Sequence, residues 1–124
     1  MVRSKNELLI AEALYTAGVR FLYEARLELV SEITGSDGRK ICNTEILYPD
    51  FTIILPDGER IYWEHLGMWE NEGYREDNMN RLTVYFNNGI YPPKNLIITV
   101  DGNKMPFDNS AVWRLIEGQI LSRY

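Results

Sequence analysis

The stretch YPDFTIILPDGERIYWEHLG, residues 48 to 67, constrains the fold more than any other part of the chain. Two runs rich in β-branched and aromatic residues flank Pro56-Asp57-Gly58. A type I turn closed by a left-handed glycine suits a three-residue loop of this kind, so the stretch predicts a β-hairpin. In that register Phe51 opposes Trp63 and Ile53 opposes Ile61, which gives the hairpin one continuous apolar face. A four-residue loop would shift the register by one residue.

Each arm of the hairpin carries a carboxylate at the end far from the turn. In the same register Asp50 opposes Glu64, with their Cβ atoms about 4.5–5.5 Å apart. Opposed like charges destabilise a sheet, so two interpretations are open. Either both groups are solvated near the surface, or a cation lies between them. Hard cations such as Mg²⁺ are bound by one or two carboxylates together with water and phosphate oxygens.

The rest of the chain predicts helices on both sides of the hairpin in sequence. Residues 4–17 and 70–88 have helical patterns, and a third helix covers residues 109–122 with Asn109 or Ser110 as its cap. Strands are predicted over residues 19–30 and 40–48, and the apolar run NLIITVDG reads as a central strand buried on both faces. We therefore predict a single α/β domain over residues 1–124, a sandwich with a mixed sheet whose antiparallel meander is followed by a crossover.

Composition and charge argue against several classes of function. The formal net charge is −5, which argues against a protein that grips nucleic acid mainly through phosphate contacts. The single cysteine, Cys42, excludes an internal disulfide and a multi-cysteine zinc site. No run approaches 18 apolar residues, and Glu7 and Glu12 interrupt the apolar stretch near the N-terminus. These features predict a cytoplasmic protein that does not contact membranes.

Glu7 stands out in the first predicted helix. It shares a helical face with Ala11, Leu14 and Gly18, a stripe that is otherwise small or apolar and is expected to pack on the sheet. A carboxylate on an inward stripe is costly unless it caps, pairs or binds metal. Glu7 also stands three residues after Ser4, so a capping box is the alternative explanation.

The second predicted helix carries a polar stripe and a separate apolar face. The polar stripe comprises Tyr74, Asn78, Arg81 and Tyr85. The apolar face comprises Met79, Leu82 and Phe86. Solvent-facing stripes usually carry Lys and Glu rather than two tyrosines around one arginine, so we predict that Tyr74, Arg81 and Tyr85 bind substrate, with Arg81 on a phosphate.

Together these residues resemble the PD-(D/E)XK nuclease superfamily, and in particular its RecB-like, helicase-associated modules. The matching elements are a helix with an inward Glu7, then Pro49-Asp50 opening a strand, then Glu64 on the partner strand. Arg81 to Tyr85 resembles in placement the Gln-x-x-x-Tyr motif of RecB-like modules, with Arg in place of Gln. The resemblance covers residues 3 to about 101. It implies a restriction-endonuclease-like three-layer sandwich with a central mixed sheet of four or five strands flanked by helices.

The resemblance also implies an activity, namely hydrolysis of DNA phosphodiester bonds with Mg²⁺ or Mn²⁺. Asp50, Glu64 and the backbone carbonyl of His65 would bind the metal, and Glu7 would be an outer or second-metal ligand. DNA is the implied partner, together with a fused or tethered helicase, and a homodimer would allow both strands to be cut.

One position departs from this pattern. The family's lysine lies two residues after the strand acid, and that position here is Leu66. Lys5 is our first candidate for the replacement cation and therefore for a catalytic role beside Glu7, Asp50 and Glu64. Strand alternation points the His65 side chain to the face opposite Glu64, which favours a structural role for its ring.

Two functions other than a nuclease are also compatible with the sequence. Leu66 and the net charge of −5 favour a nuclease-fold module that has lost catalysis and serves as a nucleic-acid-binding or structural part of a larger helicase, repair or defence assembly. The complete set of acids favours an enzyme. A third reading is a globular interaction domain that binds no metal.

Overall fold

The computed structural model describes residues 5–67, 71–100 and 108–124. Within these ranges three α-helices and six strands follow one another as α1 Lys5–Thr16, β1 Arg20–Tyr23, β2 Leu27–Thr34, β3 Lys40–Leu47, β4 Phe51–Ile54, β5 Arg60–Leu66, α2 Glu72–Asn87, β6 Leu96–Val100 and α3 Asn109–Leu115. A π-helical turn over Ile116–Ile120 and a 3₁₀ turn over Leu121–Arg123 continue α3. No helix in the described ranges is long and apolar enough to cross a membrane.

Two of the helices begin at capping residues that the sequence analysis did not predict. Asp108 caps α3, because its side chain accepts the Ala111 N–H at 2.8 Å; the predicted caps Asn109 and Ser110 lie inside the helix. Asn71 caps α2 by accepting the Tyr74 N–H at 3.2 Å. The predicted Ser4 cap lies outside the described residues.

Four of the strands form one mixed sheet in the order β1-β4-β5-β6. β4 is antiparallel to both β1 and β5, and α2 carries the chain across to β6, which pairs parallel to β5. The prediction for β6 was half right. Leu96 and Ile97 bury opposite faces of the strand as expected, but β6 is the last strand of this sheet rather than a central one.

The sheet separates two apolar clusters. On one face, α1 and α3 pack against Phe51, Ile53 and Trp63, all fully buried. On the other face, α2 contributes Leu82 and Tyr85 to a smaller cluster that also receives partly buried leucines from β2 and β3. Alternation along β5 explains this division, because its odd-numbered residues meet the first cluster and its even-numbered residues meet the second.

The predicted strand over residues 19–30 is two strands. β1 pairs with β4, whereas β2 leaves the main sheet and pairs with β3 as a separate two-stranded ribbon. The break lies at Glu24, whose φ of 50° is in the left-handed region that side chains other than glycine rarely occupy. Its backbone N–H donates to the Asp50 carbonyl oxygen at 3.1 Å, which fixes the chain at this bend.

The hairpin register predicted from the sequence is confirmed. Phe51 pairs with Trp63 and Ile53 with Ile61, and the Leu55 N–H donates to the Glu59 carbonyl oxygen at 2.8 Å. The turn closes at Gly58, which has a φ of +89°. Because the whole register follows from this turn, Gly58 sets which residues of β4 and β5 meet.

Replacing Gly58 should therefore test the turn. Gly58→Ala places a Cβ in open space but in an unfavourable backbone conformation, so we expect a loss of about 1–2 kcal/mol in the free energy of unfolding. Urea denaturation followed by circular dichroism measures this change. Gly73→Ala, in the first turn of α2, is the matched control and should change stability by less than about 1 kcal/mol. Equal losses in both variants would contradict the assignment.

Candidate metal centre

Asp50 lies where three parts of the chain meet. Its backbone N–H donates to Glu64 Oε1 at 3.0 Å, and its carboxylate Oδ2 accepts the His65 N–H at 2.7 Å. Its carbonyl oxygen accepts the Glu24 N–H at 3.1 Å. The two acids that the sequence pattern placed opposite one another are therefore neighbours, and each carboxylate accepts a backbone N–H from the facing strand. Asp50 is almost fully buried.

Three carboxylates converge at this point. One oxygen from each of Glu7, Glu24 and Asp50 lies within 4.8 Å of the other two. Glu7 and Asp50 are each only 8% exposed, and Glu24 is half-buried. The Tyr23 hydroxyl, next to Glu24 in sequence, donates to Glu7 Oε1 at 3.3 Å. α1, the β1–β2 bend and the start of β4 thus each contribute one acid.

The donor set fits a hard divalent cation. Mg²⁺ binds oxygen at about 2.0–2.1 Å in octahedral geometry, which puts neighbouring ligand atoms about 3 Å apart and opposite ones about 4 Å apart. Carboxylate oxygens within 4.8 Å of one another are near enough to face one ion, and they would move closer together to reach that spacing. The set has no sulfur or imidazole ligand, so its chemistry suits Mg²⁺ or Mn²⁺.

Glu64 is placed differently from the predicted ligand set. Its side chain is fully buried, one oxygen accepts the Asp50 N–H, and the other lies 2.8 Å from Arg81 Nε. Arg81 and Glu64 meet as an ion pair rather than as a well-aligned hydrogen bond. Glu24, and not Glu64, is the third member of the converging acids.

Burial raises the pKa of the Glu64 carboxyl from its ordinary value to about 7. The neighbouring charge of Asp50 raises that pKa further, whereas Arg81, the Asp50 N–H and the Tyr85 hydroxyl lower it. The pKa of Tyr85 is also raised, first by burial and then by the charge of Glu64. Glu64 is therefore a buried acid that lies beside the Arg81 cation and accepts a hydrogen bond from the Asp50 N–H.

The stripe of α2 that was expected to bind substrate faces the sheet for most of its length. Asn78 is 8% exposed, and its Oδ1 accepts a hydrogen bond from Arg81 Nη2 at 2.8 Å. Tyr85 is fully buried and stacks on Tyr62, with ring centroids 6.4 Å apart, so it does not present a surface to a base. Tyr74 is exposed at the start of the helix.

The apolar face of α2 is not the side of the helix that is buried. Of its three members only Leu82 is buried, while Met79 and Phe86 remain 48% and 45% exposed. The reason is the charge in the sheet below. Buried Glu64 has to meet a cation, so the helix turns Arg81 and its neighbours inward at the expense of the apolar stripe.

The remaining predicted residues differ in burial and in contacts. Lys5 is exposed in the first turn of α1. The His65 ring lies on the opposite face from Glu64, where Nδ1 is 2.8 Å from Thr99 Oγ1, as alternation predicted. The His65 N–H points to Asp50, and its carbonyl points to the same edge of the strand because both groups of one strand residue share a side. Leu66 is 1% exposed within the α2 cluster.

Sequence reasoning missed Glu24. No motif marks it, and it lay inside what read as one continuous strand. Its position depends on the bend between β1 and β2, which bonds to Asp50 through the backbone. The run Tyr23-Glu24-Ala25-Arg26 continues the alternation of apolar and polar residues around it, so no local signal marked the bend.

Comparison of the chain with protein-family models, with curated proteins and with solved structures gave no match. The chemistry of the site therefore rests on the residues of this chain alone.

Proposed function

We propose that the protein is a divalent-metal-dependent phosphodiesterase that cleaves DNA, with Mg²⁺ or Mn²⁺ held by Glu7, Glu24 and Asp50. The observation that carries this proposal is the convergence of these three carboxylates, two of them almost fully buried, at the start of β4. Burying acids together is costly in a protein without a cation to neutralise them. A metal bound there would polarise a phosphate oxygen and generate a hydroxide nucleophile near neutral pH.

The chain's own residues would position this chemistry. The Glu24 N–H and the His65 N–H hold the backbone and side chain of Asp50 in one orientation. The Tyr23 hydroxyl orients the Glu7 carboxylate, as partners of metal ligands commonly do. Arg81 is one-third exposed beside the acids and is suited to contact a substrate phosphate.

The architecture supports the same proposal. An antiparallel hairpin bearing the acids, a crossover helix and a parallel fourth strand, with helices on both faces, is the arrangement expected of a restriction-endonuclease-like domain. We extend the proposal to DNA as substrate, to action in the cytoplasm, and to a second copy or a tethered helicase as a partner when both strands are cut.

One observation favours a second candidate function. Leu66 is buried among apolar side chains, so β5 offers no lysine beside the acids. A module that retains the metal centre but binds nucleic acid without cleaving it would fit that absence, as would the net charge of −5 in a part of a larger assembly.

The proposal is tested with Glu24, the acid that the sequence pattern did not reveal. Calorimetry should show that the wild type binds Mn²⁺ and that Glu24→Gln lowers the Mn²⁺ affinity by a factor of at least about ten. Even residues that only support metal ligands contribute about tenfold to a hundredfold to metal affinity. A plasmid-nicking assay with Mn²⁺ should show activity that falls in parallel. Glu28→Gln, an exposed acid on β2, is the matched control.

Each contrary result has a distinct meaning. Mn²⁺ binding without nicking by the wild type would favour the binding module. No Mn²⁺ binding by the wild type would end the metal proposal. Equal nicking by wild type and Glu24→Gln would point to a contaminating nuclease.

A further inference from the structure

β5 carries no lysine beside Glu64, and the positive charge next to this acid comes from Arg81 on α2. On β5, Leu66 follows Glu64 by two residues and shares its face, but its side chain packs against the α2 cluster. Directly across from that strand, Arg81 brings Nε to 2.8 Å from Glu64 Oε2. A cation therefore stands beside the strand acid although the strand itself does not supply it.

The placement of Arg81 suits more than neutralisation of Glu64. Nε lies 2.8 Å from the buried carboxylate in an ion pair, and Nη2 donates to Asn78 Oδ1 at 2.8 Å, so two contacts hold the guanidinium in place. The side chain is nevertheless 36% exposed, whereas Glu64 is fully buried. An arginine presents five N–H donors in a rigid fork, so donors remain for an anion that approaches the acids from solvent.

We propose that Arg81 replaces the missing strand lysine and contacts the reacting phosphate directly, delivered from α2 and held in place by Glu64 and Asn78. This inference rests on the proposed function. An arginine keeps its proton in proteins, so Arg81 acts as a donor and a fixed charge and not as a base. Its part in the reaction is to stabilise the charge that develops on the phosphate oxygens.

Arg81→Gln is the first test, measured for nicking at saturating Mn²⁺. We expect the rate to fall about a hundredfold or more, the usual effect of removing one donor that acts on developing charge. The Mn²⁺ affinity should change less than about threefold, because Arg81 is not among the converging acids. Arg114→Gln, an exposed arginine on α3 at the opposite face of the sheet, is the matched control and should leave both quantities unchanged.

A second measurement needs no metal. The affinity for a labelled DNA duplex in EDTA, followed by fluorescence anisotropy over a range of salt concentrations, reports direct phosphate contacts. Loss of one contact should reduce the slope of log K against log salt by about 0.9. We expect this reduction for Arg81→Gln in the wild-type background and also in the Glu64→Gln background, where no buried charge requires neutralisation.

A third variant tests whether a positive charge on β5 restores activity when Arg81 is absent. Leu66→Lys in the Arg81→Gln protein returns a cation to the strand position, and we expect it to recover at least tenfold of the lost nicking rate. If this double variant fails to fold, the comparison of Arg81→Gln in the two Glu64 backgrounds decides the matter by itself.

Two results would overturn the proposal while leaving the nuclease function intact. One is Arg81→Gln nicking at more than a third of the wild-type rate. The other is an unchanged salt slope in the Glu64→Gln background, which would mean that Arg81 serves only to neutralise Glu64. A wild type that neither binds Mn²⁺ nor nicks DNA would end both proposals, and the calorimetry identifies that case before any variant is compared.

Discussion

Asp50→Asn should lose Mn²⁺ binding and about a thousandfold of nicking activity while keeping its fold. Asp50 belongs to the three converging acids, and its backbone contacts Glu24 and Glu64: its carbonyl oxygen accepts the Glu24 N–H, and its own N–H donates to Glu64 Oε1. The substitution removes one charge but leaves an oxygen that can accept the His65 N–H, so the hydrogen bond at 2.7 Å can persist. A loss of that size corresponds to about 4 kcal/mol of transition-state stabilisation.

Thermal unfolding gives the second readout of the same variant. Metal that binds only the folded state stabilises the wild type by about 2.7 kcal/mol at a concentration one hundred times its Kd. We expect Mn²⁺ to raise the melting temperature of the wild type and to leave that of Asp50→Asn unchanged. In EDTA the two proteins should melt within a few degrees of one another.

The control for Asp50→Asn is available on the same hairpin. Asp57→Asn makes the identical chemical change at the exposed turn, where the Asp57 carboxylate accepts the Glu59 N–H at 2.9 Å. It should bind Mn²⁺ as the wild type does. Comparable losses in both variants would show that the effect of Asp50→Asn is not specific to the acid centre.

What the sequence predicted well was set by local geometry. The turn Pro56-Asp57-Gly58 determines which residues of β4 and β5 meet, so the register and the proximity of Asp50 and Glu64 could both be read from it. The odd and even faces of β5 follow from the same register. The general order of helices and strands likewise follows from hydrophobic periodicity.

What the sequence did not predict depends on long-range charge and on one backbone angle. The burial of α2 does not follow its apolar pattern, because Arg81 turns inward to pair with buried Glu64 while Met79 and Phe86 stay exposed. Glu24 was missed because its φ of 50° splits a run that alternates like one strand. Neither the depth of Glu64 nor the bend at Glu24 can be inferred from residues nearby in sequence.

Glu64 should also make the stability of the metal-free protein depend on pH. Its pKa in the folded protein is about 7, against an ordinary value of 4.5. Between those values the folded protein holds a proton on Glu64 that the unfolded chain has released. Stability relative to a variant without this carboxyl should therefore fall as pH rises, by up to about 1.4 kcal/mol per pH unit, and level off above about pH 7.

Glu64→Gln isolates this contribution, because it keeps the shape of the side chain and removes its titration. Urea unfolding of both proteins in EDTA, from pH 5.5 to pH 8, should show the wild type losing about 2 kcal/mol relative to Glu64→Gln. Nearly all of the loss should occur below pH 7. Glu59→Gln, an exposed acid beside the hairpin turn, is the control for the loss of one carboxylate and should change stability by less than about 0.5 kcal/mol.

The direction of this change separates two descriptions of the Arg81–Glu64 pair. If the pair were chiefly a stabilising salt bridge, the folded protein would favour the ionised carboxyl, and stability relative to Glu64→Gln would rise with pH. Full burial of Glu64 and the adjacent charge of Asp50 oppose ionisation more strongly than Arg81 favours it. A difference that grows in favour of the wild type toward pH 8 would therefore contradict the assigned balance of burial and charge, and it would identify Arg81 as the dominant neighbour of Glu64.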